Sequence, residues 1–305
     1  MEKRVVVYRI GIGGWEHEVF DQCLYPRPHM ESAEKLKYYA QFFDTVEVRQ
    51  TFWDDSLGID DAQQWIGAVA QSRRFVFNVK LHSSFTHRKE IRPGVSTRVR
   101  SVLQELDCHN RLGALVAQFP YSFTNTSAHR YHLSRLSELF RGFPMFVELR
   151  HASWDQPSIP GFLAEHSLHS ISADLPRLAQ YAQFNTGNRG ERAYVRLHGR
   201  NEKGWLLNGL DTRYDYLYNS KEVRELGRRI DAFSERCNHI TIICNNTTGG
   251  KGVANALQLI AAIRQTSAVL VPAATLRTFP SLHTISALSD SKPSLLGENE
   301  LRQAV

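Results

Sequence analysis

Strand-like runs in this chain end in charged or amide residues that fall on a single alternation phase. Thr45-Val46-Glu47-Val48-Arg49 sets Glu47 and Arg49 on one face and Val46 and Val48 on the other. Phe146-Val147-Glu148-Leu149-Arg150 repeats the pattern with Glu148 and Arg150, and Tyr194-Val195-Arg196-Leu197-His198 with Arg196 and His198. Phe77-Asn78-Val79-Lys80 presents Asn78 and Lys80, Val116-Ala117-Gln118 presents Gln118, and Ser170-Ile171-Ser172-Ala173-Asp174 presents two serines and Asp174. Strand side chains alternate faces with period 2, so each run has an apolar side and a polar side. Polar residues at the ends of six strands spread along the chain are what the mouth of a barrel requires.

Apolar runs of strand type recur at Val5 to Ile12, Thr45 to Val48, Phe75 to Lys80, Leu112 to Gln118, Met145 to Glu148, Ser170 to Ala173, Ala193 to Leu197 and Ile240 to Asn245. Segments with helical spacing lie between most of them: Glu31 to Phe43, Ala62 to Ala70, Val95 to Leu106, Ala128 to Phe140, Ile159 to His166, Lys221 to Cys237 and Ala254 to Arg264. Alternation of this kind predicts βαβ units and a parallel sheet. Eight units point to an α/β fold of the closed (β/α)8, TIM-barrel type over residues 1–266. A seven-strand closure and an open doubly wound sheet are the alternatives. From about Ser267 the pattern breaks, and residues 267–305, rich in Ser, Thr and Pro, are expected to be poorly ordered or to wrap the surface.

The chain has 305 residues, enough for one such barrel, and a formal net charge of +6, which favours anionic ligands by long-range steering. It has no run of five or six basic residues of the kind that forms a nucleic-acid arm. Cys23, Cys108, Cys237 and Cys244 are scattered without zinc-binding spacing. Reduced thiols, no signal peptide at the N-terminus and no apolar stretch of membrane-spanning length together lead to the expectation of a cytoplasmic protein without membrane partners.

Active sites of parallel barrels lie at the C-terminal ends of the strands, where the polar ladders end. On the parity argument the apolar phase faces the helices and the polar phase faces the axis. That gathers Glu47, Arg49, Lys80, Gln118, Glu148, Arg150, Asp174, Arg196 and His198 around one mouth. Buried charges without partners are costly, so such a set is either mutually paired or built to receive a ligand. Glu47, Glu148, Asp174 and His198 are the catalytic candidates, as general acids or bases tuned by their neighbours. Arg49, Arg150, Arg196 and Lys80 suit an oxyanion clamp, and Gln118 lies among them. No cofactor is expected. A divalent metal held by carboxylates with His198 or His82 is the open alternative, although the adjacent arginines oppose a cation and no HxH or HExxH spacing is present.

Three further segments qualify as ligand contacts. Asn245-Asn246-Thr247-Thr248-Gly249-Gly250-Lys251-Gly252 follows the last strand and precedes a helix, the setting of an anion site. Gly11-Ile12-Gly13-Gly14-Trp15 ends the first strand, where the glycines allow close approach and Trp15 offers a stacking face. The connection from Gly199 to Tyr218, rich in Gly, Asn, Asp and Tyr, is a candidate lid or binding loop. His87 and His151 are candidate proton shuttles. Trp15, Phe52, Trp53, Trp154, Tyr214 and Tyr216 are candidates for an aromatic wall.

These motifs, in this order, resemble the domain of unknown function 72 family, the YecE-like proteins. Gly11-Ile12-Gly13-Gly14-Trp15 is similar to the family's GTSGW. Val46-Glu47-Val48 with Thr51-Phe52-Trp53 is similar to VEINSTFY, and Phe77-Asn78-Val79-Lys80 with Thr86-His87 to FxVK…TH. Gln118-Phe119-Pro120, Val147-Glu148-Leu149-Arg150-His151 with Ser153-Trp154, Asp174-Leu175-Pro176, Tyr194 to Gly199, and Asn245-Asn246 with Ala254-Asn255-Ala256 complete the series. The resemblance implies a TIM-barrel-like fold over residues 9 to 262 and supplies no activity. Arg49-Gln50 and Trp53 depart from its Asn-Ser and Tyr, and an arginine there adds positive charge.

The residues themselves point first to an enzyme of hydrolase or lyase type acting on a small or polymeric anionic, phosphate-containing substrate. A non-catalytic nucleic-acid or nucleotide binding module is one alternative. A glycoside-type hydrolase using two carboxylates is the other, and it leaves the basic neighbours unexplained. The sequence carries no signal of oligomeric state.

Overall fold

The computed structural model describes residues 5–185, 190–207 and 210–287. Eight parallel strands close into a barrel in sequence order, β1 pairing with both β2 and β8. They are β1 (Val7–Gly13), β2 (Thr45–Val48), β3 (Val76–Lys80), β4 (Leu112–Gln118), β5 (Met145–Glu148), β6 (Leu168–Asp174), β7 (Arg192–Leu197) and β8 (His239–Cys244). This is the (β/α)8 architecture, and all eight predicted runs lie on its strands with ends shifted by at most two residues. The seven expected helices form as well, at Ser32–Tyr39, Ile59–Ala68, Pro93–Cys108, Ser127–Leu139, Ile159–Glu165, Ser220–Asp231 and Lys251–Arg264.

The helical layer follows from local chemistry. Ser220–Asp231 starts at Asn219, whose Oδ1 accepts from the backbone N–H groups of Lys221 and Glu222 while Glu222 returns to the Asn219 N–H. That reciprocal cap satisfies N–H groups that the helix leaves open. Its buried stripe, Val223, Leu226 and Ile230, faces the core at helical spacing. Ser127–Leu139 is capped by Thr126 and buries Leu133 and Leu136. Against these stripes lie the outward strand residues Val46, Val48, Phe77, Val79, Val147, Val195 and Leu197, all almost fully buried.

The inward phase is set by register. Parallel partners side by side in a sheet face the same way, and Gly13, Glu47, Asn78 and Ala114 form one such row. Ala114, Val116, Phe146, Ile171, Tyr194 and Ile243 make an apolar plug inside the barrel, separate from the core beneath the helices. The charged side chains stand above this plug. The parity argument holds on β2, β3, β4, β5 and β7 but not on β6. There Ala173 is level with Arg196 and Ile171 with Tyr194, so Ser170, Ser172 and Asp174 belong to the outward phase.

The stretch after Ser267 is organised as far as residue 287. Val269 exchanges backbone hydrogen bonds with Ile285 and Ala287. The helix Ala273–Thr278 lies against Phe20–Cys23, with Thr275 Oγ1 donating to the Cys23 carbonyl at 2.7 Å, and Leu282 is fully buried. Residues 288–305 of the expected tail lie outside the described residues. Among the described residues no helix is long and apolar enough to cross a membrane.

Candidate active site at the barrel mouth

Arg196 is the centre of the buried charge network. Its Nη2 donates to Glu47 Oε1 at 2.8 Å, and its Nη1 donates to Glu148 Oε2. Arg150 Nε donates to Glu148 Oε1 at 2.6 Å, and Tyr194 lifts its hydroxyl from the apolar plug to donate to Glu47 Oε2 at 3.1 Å. His198 Nε2 lies 3.0 Å from Glu148 Oε2, and its Nδ1 lies 3.0 Å from Asn245 Nδ2. An amide N–H can only donate, so Nδ1 accepts and the ring carries its proton on Nε2, directed at Glu148. Glu47, Glu148, Arg196, His198 and Asn245 are essentially excluded from solvent.

Electrostatics follow from burial and from these contacts. Burial alone would raise the Glu148 carboxyl, but Arg196, His198 and Arg150 outweigh it and hold it well below the usual carboxylate range. Burial lowers His198 to about 4 against the pull of Glu148, so the imidazole is neutral at pH 7. Burial also pushes Lys80 well below an ordinary lysine, and Arg196, Arg49 and Arg150 add repulsion that Glu47 offsets only in part. Tyr214 is lowered too, against burial: Arg150 first, then Arg196 and Arg49, outweigh desolvation and lower its phenol.

Two cations at the mouth have no carboxylate. Arg49 donates from Nη1 to His17 Nε2 at 3.1 Å and enters no ion pair among the described residues. Burial first, then Arg49, hold His17 at about 4, so the ring is neutral at pH 7, and its Nε2 also lies 3.2 Å from the Gly13 carbonyl oxygen. Lys80 Nζ rests 3.8 Å from the centroid of the Phe52 ring, without an ion pair or a side-chain hydrogen bond among the described residues. A cavity of about 210 Å³ opens beside Arg49, lined by Gly14, Trp15, Glu16, His17, Gln50 and Trp53.

The remaining sequence candidates fall into place around this centre. Gln118 is level with Glu148, and its Nε2 donates to the Phe119 carbonyl at 2.7 Å. Asp174 stands apart, on the outward phase of β6. It receives Arg200 through both oxygens at 2.8 and 2.9 Å and the Tyr218 hydroxyl at 2.7 Å. Asn246 also turns away: its Nδ2 donates to the Tyr216 carbonyl and to Asn255 Oδ1, while Asn255 binds both backbone groups of Tyr218. These two residues fasten the connection after β7. Trp15 is 1% exposed, donates to Ser32 Oγ and packs edge-on against Trp65, so it is a core residue whose indole N–H is already used. In the turn after β8, Gly250 packs on Cys23 and Phe279, and Lys251 pairs with Asp215.

His151 accepts from the Ser153 N–H, and His87 packs edge-on against Phe52 at 5.0 Å. Two residues of the Gly199–Tyr218 connection come to the centre: Tyr214, an expected member of the aromatic wall, and Trp205, which is not named among the sequence candidates. Trp205 is buried under Arg150, 5.2 Å from the guanidinium carbon, and Tyr214 lies 5.8 Å from His198 ring to ring. Only the length and composition of that connection signalled Trp205. Gly199, at φ +87°, makes its first turn; a Cβ there would meet Tyr216 Cβ at 2.6 Å. Three buried polar atoms at the mouth lack a hydrogen-bond partner among the described residues: Arg196 Nε, Asn245 Oδ1 and Trp205 Nε1. Among the described residues no three His, Cys, Asp or Glu side chains converge as metal ligands.

A barrel with this charged mouth fits the expected resemblance, and the comparisons establish it. The model of the family described as "Protein of unknown function DUF72" matches residues 9–278, so the chain belongs to that family. UPF0759 protein YunF of Bacillus subtilis is 25% identical over 271 residues, spanning 82% of this chain and 93% of that protein. A DUF72 family protein of Thermotoga maritima, solved by crystallography, shares 26% identity and superposes with a TM-score of 0.74 over 85% of this chain and 99% of that one. The corresponding protein of Enterococcus faecalis, 22% identical, has the same fold, with a TM-score of 0.72 over 86% of this chain and 99% of that one.

Proposed function

We propose that the chain is an enzyme that binds a small phosphate-bearing substrate at the C-terminal mouth of the barrel and transfers protons there, in lyase or hydrolase chemistry. The observation that carries this reading is the excess of positive charge. Among the described residues Arg150 and Arg196 pair with Glu47 and Glu148, whereas Arg49 and Lys80 enter no ion pair. An anion at the mouth would balance them, and guanidinium groups match phosphate oxygens in geometry. Unpartnered buried polar atoms beside them, Asn245 Oδ1 and Trp205 Nε1, are further contacts for a ligand.

The roles differ from those the sequence suggests. The oxygens of Glu47 and Glu148 already accept from Arg196, Arg150, His198 and Tyr194, so these carboxylates orient the cations. Proton transfer falls to groups whose affinity for a proton is brought toward neutrality, Lys80 and Tyr214. Arginine supplies the positive charge in this scheme, and no metal is assigned to it. Elemental analysis of protein purified without chelator checks that assignment.

The test is thermal stabilisation at low ionic strength by inorganic phosphate, phosphorylated sugars, nucleotides and a single-stranded oligonucleotide, with Arg49→Gln as control. Stabilisation by small phosphates that the variant loses supports the reading. Response to the oligonucleotide alone would favour a nucleic-acid binding module. No response to any anion would remove the proposal.

A further inference from the structure

Lys80 is placed as a covalent amine rather than as a simple charge. It ends β3 on the inward phase, 7% exposed, and its backbone carbonyl is pinned by Thr51 Oγ1 at 2.6 Å. That hydroxyl fixes the turn after β2 and with it Phe52, the ring that carries Nζ on its face at 3.8 Å. The groups that act on the amine are Arg49 from the end of β2, Arg150 from the end of β5, Arg196 from β7 and, with opposite sign, Glu47 from β2. His87, which follows β3, also feels its charge and packs edge-on against Phe52 at 5.0 Å. A lysine kept only to bind an anion would gain from an exposed ammonium and a flexible stem. Here the stem is buried, the nearest surface is an aromatic face and the charged neighbours are mostly cations. Desolvation next to other cationic groups is the arrangement that turns a lysine into a nucleophile.

We infer that Lys80 forms a Schiff base with the carbonyl carbon of a phosphorylated aldehyde or ketone whose phosphate is held by Arg49 and its neighbours. This rests on the anion-binding reading above and names its substrate class. The free pair on Nζ adds to the carbonyl carbon, and the carbonyl oxygen takes a proton to become a hydroxyl. Loss of water gives the protonated imine. The imine accepts the electron pair of a bond broken at the adjacent carbon and forms an enamine: a C–H bond gives its proton to a base at the mouth, and a C–C bond releases its hydroxyl-bearing fragment as an aldehyde, the hydroxyl proton going to the same base. Reprotonation of that carbon and addition of water release the product and restore the amine. Water and protons are the only co-reactants. The neutral His198 and the lowered phenol of Tyr214 stand on the same mouth.

The experiment is reductive trapping of the intact wild-type chain at pH 7 with cyanoborohydride, using dihydroxyacetone phosphate and, separately, dihydroxyacetone. Adducts are located by peptide mass spectrometry. Phosphate binding is measured in parallel by thermal shift. The expected result is one dominant adduct on Lys80 with the phosphorylated probe, formed faster than on the surface lysines by about tenfold for each unit of lowered pKa. Inorganic phosphate should suppress it, and dihydroxyacetone should give little. Lys80→Met, which puts an apolar side chain of similar length in place of a buried amine, should remain folded and lose the adduct. Labelling spread over surface lysines with Lys80 unmodified would overturn the inference. If phosphate still binds in that case, the anion site stands and only the covalent role falls. If phosphate does not bind either, both fall.

Discussion

Arg196 reaches Glu47 across the barrel at 2.8 Å, joining residues 149 positions apart in a contact excluded from solvent. The same guanidinium holds Glu148, so one side chain neutralises carboxylates from β2 and β5. Removing one member of a buried pair strands the other charge, at a cost of about 3–5 kcal/mol. Arg196→Met is therefore expected to lose stability of that order, with a lower urea midpoint and an unchanged m value. Arg196→Lys should recover little, because a single ammonium cannot serve both carboxylates in the bidentate geometry. A loss under about 1 kcal/mol in either variant would mean that the buried carboxylates are satisfied without it, Glu148 by Arg150.

Stability should begin to fall as pH drops below the free-histidine value. His198 is held at about 4 in the folded chain against 6.5 for a free histidine, and His17 likewise. Between these values the unfolded chain binds protons that the folded chain refuses. Stability from these groups is present above pH 6.5 and is lost as pH falls toward 4, with a slope of up to about 1.4 kcal/mol per pH unit for each histidine. Glu148, held low in the fold, adds its own loss from the usual carboxylate value downward. Urea midpoints from pH 7.5 to 4.5 measure the slope, and His17→Gln should reduce it. A flat profile would mean that neither His17 nor His198 is kept neutral by the fold.

The fold was legible because its signals are local. Period-2 apolar runs and helical spacing need no knowledge of partners, and Thr45–Val48, Leu112–Gln118 and Met145–Glu148 carry identical limits in sequence and structure. The site was legible where parity and strand end coincide, as at Glu47, Lys80, Glu148 and Arg196. It was not legible on β6, where both phases are mixed: Ile171 and Ala173 face in, and Asp174 faces out to Arg200 and Tyr218. Nor does a sequence say which carboxylate a guanidinium will choose, so Glu47 and Glu148 read as free acids when they are already engaged. Trp205 and Tyr214 lie on an irregular connection positioned by Asn201, Asn246 and Asn255, side chains whose partners are distant in the chain.

Tyr214 should be the earliest of the 11 tyrosines to ionise. Arg150, Arg196 and Arg49 lower its phenol, whereas Tyr25, Tyr39, Tyr194 and Tyr218 are all raised, first of all by burial. Alkaline titration followed by phenolate absorbance should therefore show a first step below the usual tyrosine value, absent in Tyr214→Phe. Phosphate bound at the mouth should delay that step, because an added anion disfavours a phenolate. An unchanged first step in the variant would assign it to another tyrosine and remove Tyr214 from the proton-transfer scheme.

Two glycines of β1 separate the fold from the site. A Cβ at Gly11 would lie 1.9 Å from the Thr45 carbonyl oxygen, in backbone of the neighbouring strand that cannot yield. Gly11→Ala is expected to prevent barrel closure and give little soluble protein. At Gly13 a Cβ would meet side chains instead, Asn245 Oδ1 at 2.6 Å and Arg49 Cδ at 3.1 Å. Both can move, so Gly13→Ala should fold with a loss of about 1–3 kcal/mol, the usual range for overpacking. Moving them has a functional consequence, since Asn245 fixes the His198 tautomer and Arg49 is the unpaired guanidinium beside the cavity. Phosphate affinity, measured by calorimetry at low ionic strength, should drop about tenfold, a change of about 1.4 kcal/mol. Full affinity in a folded Gly13→Ala protein would place the anion away from Arg49 and move the candidate site to another part of the mouth.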